Sequence, residues 1–142
     1  MPRLVHKPPA YTLHRASGRA RVRFGRKEHW PRAAGGLLRA HFKSLCAEAL
    51  GPSDYLAIAR RFHTVFIEAV PRLRPENRDA ARRFGVLIDA LYEARARLVV
   101  LAEAEPAAIY PRGDGAFEFE RAASRLEEMR SAAWLESIAP GD

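Results

Sequence analysis

Two arginines one helical turn apart are the first residues in this 142-residue chain with spacing that suits chemistry. Arg121 and Arg125 stand at i and i+4 with Ser124 between them, so a helix would present both guanidiniums on one face. Such a pair suits a phosphate or a partner's carboxylate. Spacing alone favours surface salt bridges to Glu118, Glu120 or Glu128, which contribute little. Asp89 and Glu93 form a second i, i+4 pair, this one acidic, for which ion pairing with neighbouring arginines is the plainer account. Cys46 lies beside Leu45 with no His or Asn partner suggested, and it reads as a small packed side chain rather than a nucleophile. His63, at the start of an apolar run, reads as a packed or capping histidine. Glu68, near the end of that run, has no second acid beside it and reads as a solvated strand-end carboxylate. The chain holds no Gly-x-x-x-x-Gly-Lys-Ser/Thr, no His-Glu-x-x-His, no Gly-x-Ser-x-Gly and no Gly-x-Gly-x-x-Gly. No catalytic residue and no metal-ligand set is expected from these patterns.

The elements that must position these residues are organised around residues 61–103. Residues 63–70 are a short, β-branched apolar run stopped by Pro71, which predicts a buried strand. Residues 76–94 show helical spacing, with Phe84, Leu87, Ile88 and Leu91 on one stripe. Residues 97–102 hold a second continuous apolar run, Leu98-Val99-Val100-Leu101. Two apolar strands around an amphipathic crossover helix predict a parallel βαβ unit and an α/β fold.

Upstream, the alternation of Arg19, Arg21 and Arg23 with Ala20, Val22 and Phe24 predicts a half-exposed strand. Trp30 to Gly36 reads as a loop, Phe42 to Leu50 as a short helix stopped by Gly51, and Tyr55 to Arg61 as a helix capped by Ser53 or Asp54. Downstream, Phe117-Glu118-Phe119-Glu120 alternates as a short strand would. Arg121 to about Glu136 reads as a final helix with Leu126, Met129 and Leu135 inward and Trp134 nearby. The division that follows is a flexible basic arm over 1–17, an α/β portion over 18–137 and a frayed tail over 138–142.

The net charge of +7 is uneven. Residues 1–32 hold nine Lys or Arg against the single acid Glu28, and the rest of the chain is nearly neutral. The arginine ladder of residues 19–23 therefore admits a small basic module that contacts nucleic acid or an anionic surface through residues 1–32. A solvated edge strand is favoured over it, because no nucleic-acid motif accompanies the charge. One cysteine excludes an internal disulfide and fits a reducing compartment. No apolar run approaches the roughly 20 residues of a membrane span, and no secretory leader is supported.

From about Gly18 to Leu135 the chain resembles the C-terminal part of the AFG-like ATPases. The resemblance is carried by Pro31-Arg32-Ala33-Ala34-Gly35-Gly36, Phe42 with Leu45-Cys46, Leu50-Gly51 and Asp54-Tyr55-Leu56. It continues through Phe62-His63-Thr64-Val65, Val70-Pro71-Arg72-Leu73, Arg82-Arg83-Phe84 and Leu87-Ile88-Asp89-Ala90-Leu91-Tyr92-Glu93. Its most specific motif is Phe117-Glu118-Phe119-Glu120-Arg121 followed by Ser124-Arg125-Leu126 and Glu128-Met129. The resemblance implies a partial AAA+-like phosphate-loop fold in a family that hydrolyses ATP with Mg²⁺. It implies partners such as an FtsZ-like division protein or a separate ATPase half, oligomerisation, and a cytoplasmic site at the inner face of the membrane during division. It makes Arg121 and Arg125 candidates for nucleotide or intersubunit contacts. The family's phosphate loop and acidic strand precede the matched region, so ATP hydrolysis by these 142 residues alone is not expected. Three positions depart from the family pattern: Ala122 replaces a threonine, Trp134 a tyrosine and Gly85 a larger residue.

Overall fold

The computed structural model describes residues 11–14, 19–24, 27–29, 32–48 and 50–138, and describes the first four strands by their backbone alone. Strands β1 (Tyr11–His14), β2 (Arg19–Phe24) and β3 (Lys27–His29) form an antiparallel three-stranded sheet. The expected strand over residues 19–24 is therefore present. Tyr11–His14, read from the sequence as part of a loose arm, pairs with it.

The second sheet runs β4 (Arg32–Ala34), β5 (Leu37–His41), β6 (Thr64–Val70) and β7 (Arg97–Ala102). β4 is antiparallel to β5, and β5, β6 and β7 are mutually parallel. The β4–β5 turn is Gly35-Gly36, both at positive φ. An added Cβ on Gly36 would lie 2.6 Å from the His63 ring, so the bare backbone is what lets the turn close over β6. Between β5 and β6 lie a single π-helical turn (Lys43–Ala47) and helix α1 (Pro52–Arg61). Asp54 accepts the Gly51 N–H at 2.9 Å and ties off the start of α1. Helix α2 (Arg78–Glu93) crosses from β6 to β7 after a 3-10 turn at Pro75–Asn77. The βαβ unit read from the sequence is thus present, with β6 and β7 direct neighbours.

Both crossovers step the same way across the sheet, and right-handed crossovers that do so lie on one face. Burial follows that rule. Leu38, Ala40, Val65 and Ile67 are buried on one face, while Arg39, His41, Val99 and Leu101 are exposed on the other. The buried face meets α2 through Phe84, Leu87, Ile88 and Leu91, the four stripe residues expected to be covered. Phe84 anchors an aromatic row: Phe42 meets it edge-on at 5.4 Å, Phe119 stacks at 6.2 Å, and Tyr110 meets Phe119 at 6.0 Å.

Several expectations are corrected. Phe117 to Glu120 is not a strand but the first turns of helix α3 (Ala116–Met129). Its two phenylalanines face different environments: Phe119 is buried at 6 % exposure and Phe117 stands out at 79 %. The final helix breaks after Met129, because the Ser131 hydroxyl donates to Glu128 O and accepts the Trp134 N–H. That cap starts α4 (Ala132–Ser137), which turns Trp134 inward and leaves Leu135 exposed. Residues 42–50 hold a single π turn rather than an ordinary helix, and β5 precedes it where no strand was expected. Ile138, placed with the tail, is buried against the core, and residues 139–142 lie outside the described residues.

Candidate functional site

The two charged pairs noted in the sequence meet across the α2–α3 interface. Asp89 and Glu93 project from α2, and Arg121 and Arg125 from α3. One oxygen of Asp89 accepts from Arg121 Nη2 at 2.8 Å and the other from Arg125 Nη1 at 2.6 Å. Arg125 Nη2 lies 3.7 Å from Glu93. One carboxylate thus joins two guanidiniums, and the partners are on α2 rather than Glu118, Glu120 or Glu128. The hydrogen bond to Asp89 raises the Arg121 pKa above its ordinary value. Arg125 and Asp89 are about a quarter exposed, at 21 % and 29 %, whereas Arg121 is 69 % exposed. The Arg125 end of the cluster is therefore the less screened one.

Aromatic rings extend the cluster, and nothing in the sequence reading anticipated them. The Arg125 guanidinium lies 4.4 Å over the Tyr92 ring. Tyr92 stacks on Trp134 at 5.0 Å and 18°, and Arg95 lies 4.6 Å over Trp134. Tyr92 donates to Glu128 at 2.8 Å, and this bond is the main reason its phenol is held above the usual tyrosine range. Trp134 Nε1–H donates to Ala96 O at 3.3 Å. Arg95 takes φ 55° just past α2, a conformation that favours glycine. Its guanidinium contacts with Trp134 and Ser137 are what an arginine there gains. A signal for this group was available: Tyr92 follows the α2 stripe at i+8 from Phe84, on the side that meets α3.

The other singled-out residues do not join this cluster. His63 packs on Gly36, and its Nδ1 lies 2.7 Å from the Thr64 hydroxyl. Its backbone donates to Gly36 O and accepts from Arg97 N–H, locking three strands together. Glu68 is ion-paired with Arg39, whose guanidinium also covers Phe66 at 4.8 Å. Cys46 is fully buried, and burial pushes its thiol far up, which suppresses the thiolate that reactivity needs. The side chains of Arg19, Arg21 and Arg23, and the contact expected through residues 1–32, lie outside the described residues.

Among the described residues, no group of three His, Cys, Asp or Glu side chains is placed to hold a metal ion. Glu68 and Asp89 each already accept from arginine. Among the described residues no helix is long and apolar enough to cross a membrane.

Comparison with known proteins agrees with the motif reading. The family model described as AFG1-like ATPase matches residues 14–137. Cell division protein ZapE of Escherichia coli K12 is 40% identical over 111 residues, covering 75% of this chain and 30% of that protein. An uncharacterised protein of Schizosaccharomyces pombe is 30% identical, covering 80% of this chain and 31% of its own length. Lactation elevated protein 1 homolog B of Danio rerio is 39% identical, covering 74% and 21%. The chain therefore spans less than a third of the length of these curated relatives. No solved structure matches it significantly. With the family model covering most of its residues, the chain belongs to the AFG1-like ATPase family.

Proposed function

We propose that this chain supplies the C-terminal α/β portion of an AFG1-like ATPase of the cell-division type, a part of an AAA+-like fold that does not hydrolyse ATP by itself. The observation that carries this reading is the family match over residues 14–137, together with a sequence that holds no phosphate-loop motif. Likeness to cell division protein ZapE supports the division role. In this reading the chain works beside a separate phosphate-loop half or a division protein of the FtsZ type. It does so in the cytoplasm, at the inner face of the membrane.

Arg121 and Arg125 act in this reading at the border between the chain and that nucleotide-bearing partner. Arg121 suits the role better. It is largely exposed, and its bond to Asp89 occupies only part of its donor fork. Arg125 is held by Asp89, Glu93 and Tyr92 and positions the pair.

The test is ATP hydrolysis by the purified chain, alone and mixed with a phosphate-loop fragment of a relative. No turnover alone, with a gain on mixing that the Arg121→Gln, Arg125→Gln variant loses, is the expected result. Magnesium-dependent turnover by the chain alone would overturn the reading. An unchanged gain in the double variant would remove the two arginines from it.

A further inference from the structure

The three parallel strands have two unlike faces. One packs on α2 through Leu38, Ala40, Val65 and Ile67, which are at most 5 % exposed. On the other, strand register sets Arg39, Phe66 and Val99 in one row across β5, β6 and β7. Leu101 follows Val99 on the same side of β7. Val99 is 41 % and Leu101 51 % exposed. Among the described strands β7 pairs only with β6, so it is also an edge of its sheet. An apolar edge strand with one bare face is a surface that folded proteins cover.

The sheet selects what covers it. Parallel strands are packed on both faces, almost always by helices. Both crossovers of this chain lie on the face already covered. A second copy has no apolar helix face to offer. Its other exposed large apolar side chains among the described residues, Leu56, Phe117 and Leu135, stand one each on α1, α3 and α4. The relatives have chain to spare for such a layer, since more than two-thirds of each lies outside the match. The same edge adjoins the helix that carries the arginine pair: Leu98 and Val100 line a small cavity with Leu126 and Met129 of α3. A partner on β7 is thus beside α3 as well.

We propose that the phosphate-loop half of the ATPase docks on this face, laying the apolar side of a helix across Phe66, Val99 and Leu101. The identity of the partner rests on the ATPase reading, while the surface rests on the sheet.

Thiol labelling of the whole 142-residue chain tests it. Cys46 is the only cysteine and is fully buried, so Leu101→Cys adds one accessible thiol for a maleimide. Leu56→Cys, on the far side of the sheet, is the control. The partner used is the part of Escherichia coli ZapE outside the match. With that fragment at about ten times its dissociation constant, labelling of Leu101→Cys should slow about tenfold and that of Leu56→Cys should not change. A Val99→Thr, Leu101→Thr variant keeps β-branched residues in the strand. It should melt as the parent does and bind the fragment at least about tenfold more weakly. A fragment that binds and restores turnover while Leu101→Cys labels at its free rate overturns the surface and leaves the ATPase reading standing. Undiminished binding by the threonine variant does the same. No binding at all overturns both. Labelling of Leu101→Cys that is slow in the chain alone and quickens on dilution puts a second copy on the face, and overturns the proposal as well.

Discussion

The interface between α2 and α3 has two ends that the same pair of helices packs in opposite ways. At the Asp89 end, two arginines share one carboxylate, and Arg125 lies over Tyr92, which stacks on Trp134. At the Gly85 end, two small residues face each other, and a Cβ added to Gly85 would meet only the Ala122 methyl, at 3.9 Å. The difference arises from side-chain size and charge rather than backbone geometry, since α2 is continuous from Arg78 to Glu93. Where large side chains have partners, the helices are stapled together. Where Gly85 faces Ala122, no large side chain fills the space between the helices.

The largest expected effect breaks the stapled end. Trp134 is 4 % exposed, stacks on Tyr92 and fixes the turn after α2 through Ala96. Trp134→Ala is expected to cost about 3–5 kcal/mol in denaturant unfolding. Asp89→Ala comes next. It leaves Arg125 largely shielded from solvent without its main acceptor, and a loss of about 2 kcal/mol is expected. Arg121→Ala should lose well under half of that, because its side chain is mostly in water. If Arg121→Ala costs as much as Asp89→Ala, Asp89 is not the asymmetric clamp described here.

The open end should respond with the opposite sign. Gly85→Ala adds a methyl group into ordinary contact and removes a helix-interior glycine. A gain of about 0.5–1 kcal/mol is expected, seen as a higher denaturation midpoint. A loss would show that the backbone at Gly85 needs the freedom of glycine.

The smallest effect is in pH. Tyr92 donates to Glu128, and that bond holds its phenol above the ordinary value. The folded state therefore keeps this proton longer than the unfolded chain does. Its contribution is full below about pH 10, the ordinary tyrosine pKa, and is lost as pH rises through the raised folded value. Tyr92→Phe should leave a shallower decline in stability over that alkaline range, read as the difference between the two unfolding curves.

How much of this was legible in the sequence follows from range and period. The βαβ unit was legible because its strands are unbroken apolar runs and its helix a clean stripe. β5 was not, because Leu37–His41 is short and adjoins a Gly-Gly turn that draws the eye to a loop. Phe117-Glu118-Phe119-Glu120 satisfies the two-residue period locally. Only the continuation through Ala122, Ala123, Leu126 and Met129 reveals the helical one. Each charged pair was visible as a pair on its own helix. Their meeting was not, because Asp89 and Arg121 are 32 residues apart and spacing carries no information across a loop. The small-residue contact was invisible for the same reason: Gly85 and Ala122 become neighbours only when α2 and α3 pack.

The measurement that tests the functional account most directly is the thermal melt of the purified chain with and without magnesium and ATP. A ligand at about 100 times its dissociation constant stabilises by about 2.7 kcal/mol, which raises the melting temperature of a chain this size by roughly 5–10 °C. The account predicts one cooperative transition that ATP does not move, because the chain needs a partner to form the nucleotide site. A magnesium-dependent shift of that size would contradict it and would place a complete nucleotide site within these 142 residues.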